Sequence, residues 1–169
     1  MNEYLVVVLL LKILNMSIEI GQKAPAFTLV DTARKEVNLS DFNGKNVLLL
    51  FFPLAFTGVC TTELCSVRDN INMYEKVNAQ VLGISVDSPF TLGKFKEEQK
   101  YNFPLLSDFN KTVSKTYGAF YETFLGMNGI AKRSAFVIDK TGVVRYAEVL
   151  EDAHGLPNFE AINALLATL

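Results

Sequence analysis

A chain of 169 residues, 50% of them apolar, can bury one substantial core and is short for two. Sixteen basic against eighteen acidic residues leave a formal charge of −2, with no basic run and none of the basic and aromatic interleaving of a nucleic-acid surface, so nucleic acid is not expected as a partner. Two cysteines do not make a disulfide scaffold and fit a reducing cytoplasm, in which any disulfide is transient and catalytic.

The chain opens on the apolar run Leu5 to Leu11, which is too short to span a bilayer, has Glu3 before it in place of Lys or Arg, and is followed by no small-x-small cleavage site. With Met16 directly ahead of Ser17, residues 1–16 are expected to be an N-terminal extension or the product of a mis-called start codon, an export signal being the minor alternative. The domain is expected over 17–169. Lys23 to Asp31 reads as a short strand, and the turn-rich segment holding Arg34-Lys35-Glu36 makes it the start of a hairpin. Ser40 to Lys45 is turn chemistry. It leads into Val47–Phe52, an apolar run without polar alternation, as expected of a central strand covered on both faces in a parallel α/β sheet.

Beyond Cys60, the positions Leu64, Val67, Ile71 and Tyr74 recur at intervals of three and four and predict one amphipathic helix reaching nearly to Asn78. Val81 to Asp87 predicts the next strand. Ser88-Pro89 is a cap followed by a first-turn proline, so a helix is expected over Pro89 to Lys100 with Leu92 and Phe95 inward. Phe103 to Leu106 predicts a short strand, and Lys111 to Tyr117 a short helix stopped by Gly118. Ala119 to Ala131 contains Gly126, Asn128 and Gly129, shows no period and reads as a loop. Arg133 to Asp139 and Val143 to Leu150 are β-like runs joined at Lys140-Thr141-Gly142, a hairpin signal, and Asn158 caps a closing helix carrying Ala161, Ile162, Leu165 and Leu166. A βαβ crossover, then an antiparallel hairpin, then a packing helix describes the α/β class: a thioredoxin-like fold with a central mixed β-sheet flanked by helices. No repeat, low-complexity tract or linker interrupts it.

Cys60 is the most informative residue. It follows Pro53-Leu54-Ala55-Phe56-Thr57-Gly58-Val59 and precedes the helical spacing, so its thiol stands at a helix N-terminus, where unpaired N–H groups and the dipole favour an anion. The bland alternative is an inert buried thiol. The spacing Pro53-x-x-x-Thr57-x-x-Cys60 between a buried strand and a helix resembles that of the peroxiredoxins, a family of thiol peroxidases. The resemblance extends to the element order from Ile18 to Leu169 and to Arg133 in Lys132-Arg133-Ser134-Ala135-Phe136-Val137-Ile138-Asp139, which matches the family's active-site arginine. Phe52 to Cys60 looks most like the one-cysteine alkyl hydroperoxide reductase E group, whereas Cys65 follows the spacing of the bacterioferritin comigratory protein (Q) group, so the subgroup stays open.

The resemblance implies reduction of hydrogen peroxide and organic hydroperoxides through a cysteine sulfenic acid, without metal, haem or flavin. Such a site must keep a sulfur ionised and supply donors where charge grows on the departing oxygen. It implies Arg133 for both tasks, Thr57 for a hydrogen bond to a peroxide oxygen and Pro53 as a shield against water. Each has a structural alternative: Thr57 as a helix cap, Pro53 as a strand terminator, Arg133 as a solvated charge at a strand edge. Glu63 falls in the first helical turn, where the dipole favours an acid, and is a candidate to orient the arginine. His154, the one histidine, lies in a polar turn, and two cysteines with one distant histidine leave a zinc site a ligand short.

Residues five apart on a helix have Cα atoms on the order of 8.5 Å apart. A disulfide rarely tolerates more than about 7 Å, so Cys65 can capture the Cys60 sulfenic acid only if the helix unwinds. In that case an external dithiol such as thioredoxin, or another thiol reductant, restores both thiols. If the helix holds, Cys65 is a small core residue and an outside thiol recycles Cys60. A homodimer is expected from the family. A thioredoxin-like disulfide oxidoreductase and a redox sensor without catalysis are the competing functions, the first weakened by four residues standing between the cysteines instead of two.

Overall fold

The structure, a computed structural model, describes residues 18–169, so the Leu5 to Leu11 run and the start at Met16 lie outside the described residues. Strand β1 (Thr28–Asp31) turns back into β2 (Glu36–Asn38) because the Asp31 carboxylate accepts from the N–H groups of Ala33 (2.8 Å) and Lys35 (2.9 Å), the short side chain acting as a backbone turn. A 3-10 turn over Leu39–Phe42 then leads to β3 (Asn46–Phe51). Next come helices α1 (Gly58–Asp69) and α2 (Ile71–Lys76), strand β4 (Ala79–Ser85), helix α3 (Pro89–Gln99), strand β5 (Leu105–Ser107) and helix α4 (Thr112–Thr116). The chain ends with strands β6 (Phe120–Phe124), β7 (Met127–Ala131), β8 (Ser134–Ile138) and β9 (Val144–Val149) and helix α5 (Phe159–Leu166).

Seven strands form one mixed sheet in the order β2-β1-β5-β4-β3-β8-β9, with β3, β4 and β5 parallel and the remaining pairings antiparallel. The uniformly apolar β3 lies inside it, covered on both faces as its pattern requires. Leu48, Leu50 and Phe52 join Cys60, Leu64, Val67, Phe95, Ile162 and Leu166 in one core, while Val47, Leu49 and Phe51 join Leu82, Ile84, Tyr117 and Phe136 in the other. Alternate side chains of one strand thus hold two helical layers on one sheet. Ser88 caps α3 by accepting from the Thr91 N–H (3.1 Å), and Asn158 caps α5 through Ala161 (3.0 Å), as their sequence positions indicate.

Two expectations are corrected. The single helix to Asn78 is broken at Asn70, whose side chain donates to the Ser66 carbonyl at 2.8 Å. The apolar period survives the break because Ile71 and Tyr74 still face the core of α1. The segment from Ala119 to Ala131 is not a loop but the hairpin β6–β7, closed by Leu125 (φ 50°) and Gly126 (φ 76°) in a two-residue turn with both central residues left-handed. Most of its residues are half-buried or exposed, so the alternation that marks a strand never appears. Among the described residues no helix is long and apolar enough to cross a membrane.

Candidate active site

Strand β3 delivers the chain to the site and the segment Phe52 to Thr57 turns it into α1. Phe56 takes φ 64° there and packs its ring 4.8 Å from that of Phe95. Asp87, at the exit of β4, pins the turn: its carboxylate accepts from the Ala55 N–H at 2.8 Å and from the Ser85 hydroxyl at 2.7 Å. Pro53 is buried, whereas Thr57 is exposed and occupies the N-cap position. Thr57 makes no side-chain capping bond, and its hydroxyl donates to the Leu54 carbonyl at 2.8 Å. The first backbone bond of α1 runs from the Thr61 N–H to the Thr57 carbonyl (2.9 Å), so the N–H groups of Gly58, Val59 and Cys60 have no partner within the helix.

Cys60 is 1% exposed, and so is Arg133, which excludes a solvated strand-edge role for the arginine. The register explains their meeting. β8 runs antiparallel to β3 with Ser134 opposite Phe51, so the residue before Ser134 arrives where β3 leaves the sheet. Arg133 Nη2 donates to Cys60 Sγ at 3.3 Å and to the Ala153 carbonyl at 3.0 Å, Nε donates to the same carbonyl at 3.2 Å, and Nη1 donates to the Glu63 carboxylate. Burial works against the arginine's charge, but Glu63 and Cys60 outweigh it and its pKa is raised. Glu63 is fully buried, one of its oxygens has no hydrogen-bond partner among the described residues, and burial outweighs Arg133 to push its carboxyl up to about 7.

Both cysteines are free thiols on one unbroken helix. Cys65 is half-buried and directs its sulfur to Gln99 Oε1 (3.6 Å) and Tyr101 Oη (3.9 Å). The structure therefore gathers Cys60, Arg133 and Glu63 by side-chain bonds, sets Pro53 and Thr57 in the turn leading to them, and leaves Cys65 facing the end of α3. His154 is exposed and paired with Asp152 at 2.9 Å, in a solvated turn as its surroundings suggest. Among the described residues no group of three His, Cys, Asp or Glu side chains could hold a metal ion.

Two contributors escaped sequence reasoning. Ala153 acts through its backbone carbonyl, for which a sequence carries no signal. Asp87 could have been suspected only from a polar residue closing an apolar strand.

Residues 20–147 match the AhpC/TSA family. Alkyl hydroperoxide reductase E of Mycobacterium tuberculosis is 44% identical over 135 residues, covering 78% of this chain and 86% of its own. Peroxiredoxin Bcp of Escherichia coli is 41% identical over 129 residues, 75% of this chain and 82% of its own. The crystal structure of peroxidoxin BcpB from Mycobacterium tuberculosis superposes with a TM-score of 0.79 at 32% identity, covering 90% of this chain and 98% of that one.

Proposed function

Because the chain belongs to the AhpC/TSA family and is a thiol-dependent peroxidase, we propose that Cys60 is its peroxide-reducing sulfur and that Arg133, Thr57 and Pro53 complete the site. The Cys60 thiolate attacks one peroxide oxygen. A sulfur–oxygen bond forms as the O–O bond breaks, Cys60 becomes a sulfenic acid, and the departing oxygen takes a proton to leave as water or an alcohol. The observation that carries this reading is the Arg133 guanidinium 3.3 Å from Cys60 Sγ in a buried site. Its rigid fork supports negative charge first on sulfur and then on the leaving oxygen, and the free N–H groups at the start of α1 act in the same sense. Thr57, already donating to Leu54, keeps an oxygen lone pair for the O–H of a hydroperoxide. Pro53 brings no N–H and fills space that water would take.

Cys65 completes the cycle. Its thiol condenses with the sulfenic acid, water leaves, and the Cys60–Cys65 disulfide is returned to two thiols by thioredoxin or another dithiol, which is itself oxidised. The first turns of α1 must unwind for this. Cys65 is only partly buried and its sulfur's polar contacts, to Gln99 at 3.6 Å and Tyr101 at 3.9 Å, are long, which supports such a movement. Hydrogen peroxide and organic hydroperoxides are the substrates, two free thiols fit a reducing cytoplasm, and the exposed rings of Phe56, Phe90 and Phe109 offer apolar surface to a second copy.

Peroxide consumption with dithiothreitol tests the assignment, and Cys60→Ser is expected to abolish it. Intact mass after one equivalent of peroxide is expected to fall by two hydrogens in the wild type and to rise by one oxygen in Cys65→Ser. Wild-type protein that gains the oxygen and forms no disulfide would refute the role of Cys65. Cys60→Ser protein that still turns over would refute the whole site.

A further inference from the structure

Arg133 is held on one side by Glu63 and on the other by a backbone carbonyl in the turn between β9 and α5. The Ala153 oxygen receives both Nε (3.2 Å) and Nη2 (3.0 Å), and this same Nη2 points at Cys60 Sγ. Any displacement of that carbonyl therefore displaces the donor aimed at sulfur. Bonds within the turn fix its shape: the Asp152 carboxylate accepts from the His154 N–H at 2.9 Å, and the Gly155 N–H donates to the Asp152 carbonyl at 3.2 Å. Its place relative to the arginine is fixed at its start by the Leu150 N–H, which donates to the Arg133 carbonyl at 2.9 Å, and beyond that by the β6–β7 hairpin and the lysine that follows it. Tyr121 Oη donates to the Glu151 carbonyl at 2.8 Å, and Lys132 Nζ donates to both carboxylate oxygens of Glu151 at 2.6 and 2.8 Å. The Tyr121 ring is itself held, stacked on Phe124 at 4.9 Å with the Lys132 ammonium 5.2 Å from its centroid.

We infer that Tyr121 and Lys132 are positioning residues for peroxide reduction: by anchoring Glu151 they set the Ala153 carbonyl that aims Arg133 at Cys60. The inference rests on the reading of Arg133 as the active-site arginine. Lys132 directly precedes Arg133, so hairpin, turn and guanidinium close into one ring of contacts. Within that ring Tyr121 is the more direct anchor, because its hydroxyl holds the Glu151 backbone carbonyl itself, whereas Lys132 holds only a side chain that is 80% exposed, and an ion pair in water contributes little.

The test is the rate constant for oxidation of Cys60 by hydrogen peroxide, followed by stopped flow beside reduction by dithiothreitol, in wild type, Tyr121→Phe, Arg133→Lys and the double variant. Loss of one neutral hydrogen bond predicts oxidation about fivefold slower in Tyr121→Phe, with reduction unchanged. In the Arg133→Lys background the same substitution is expected to slow oxidation by less than about twofold, the mark of residues acting as a unit. Tyr121→Phe at the wild-type rate, or equally slowed in both backgrounds, overturns the inference and leaves the arginine in place. Arg133→Lys at the wild-type rate overturns the reading of the arginine and the inference with it.

Discussion

Replacing Arg133 with methionine removes the guanidinium donors from a pocket in which the partner carboxylate of Glu63 is fully buried. Two effects follow, and their pH dependence separates them. Loss of a charge-assisted bond to sulfur, about 1.5–3 kcal/mol, is expected to slow Cys60 oxidation by roughly 10- to 150-fold. The second effect is on stability. Glu63 rises from 4.5 to about 7 in the folded wild type, chiefly through burial, so the folded chain holds a proton that the unfolded chain has released. Wild-type stability therefore falls as pH climbs from 4.5 to about 7 and is level with respect to this group above that. Without Arg133 to draw it down, the carboxyl of the variant titrates higher still, and its stability keeps falling beyond that point. The gap in melting temperature is thus expected to be constant below pH 7 and to widen above it, toward the ~3–5 kcal/mol of an unpaired buried charge. At about 2–4 °C per kcal/mol for a domain near this size, that is roughly 6–20 °C, readable by circular dichroism in a pH series. A gap that stays flat as Glu63 ionises would refute the account of the ion pair, and oxidation at the wild-type rate would refute the role of the arginine.

Other substitutions probe what carries the site. Gly83→Ala is expected to cost about 1–3 kcal/mol, since an added Cβ would sit 2.7 Å from Leu105 Cδ2 and close to Phe52 and Phe103; an unchanged denaturation midpoint would show that Leu105 moves aside freely. Asp87→Ala takes the side-chain acceptor from the Ala55 N–H, at a cost of about 1–3 kcal/mol, and is expected to slow Cys60 oxidation as the turn before α1 loosens. Wild-type kinetics in that variant would show that α1 alone fixes the turn. Tyr117→Phe leaves the half-buried Pro25 carbonyl at the edge of the second core without its 2.7 Å donor, and is expected to lower the melting temperature; one within a degree of wild type would argue that water replaces the donor.

Patterns that depend on local backbone chemistry were legible from residues alone. Val47–Phe52 announced a strand buried on both faces, Ser88-Pro89 and Asn158 announced helix starts, and Pro53, Thr57 and Cys60 announced a turn into a helix with a thiol at its positive end. The break at Asn70 was not legible, because the apolar period that marks a helix passes through it undisturbed. The β6–β7 hairpin was hidden for the opposite reason, since a ribbon wetted on much of its surface is under no pressure to alternate.

The site divides along the same line. That Cys60 stands where a helix begins follows from its own neighbours, because caps and dipoles act within a turn of chain. That Arg133 reaches it follows only from the antiparallel register placing Ser134 opposite Phe51, and that Glu63 and Ala153 hold the arginine from two sides follows only from how α1 and the turn before α5 pack against that end of the sheet. Short-range steric and electrostatic preferences are written residue by residue, whereas the meeting of a thiol and a guanidinium 73 positions apart is a property of strand order, which no local pattern encodes.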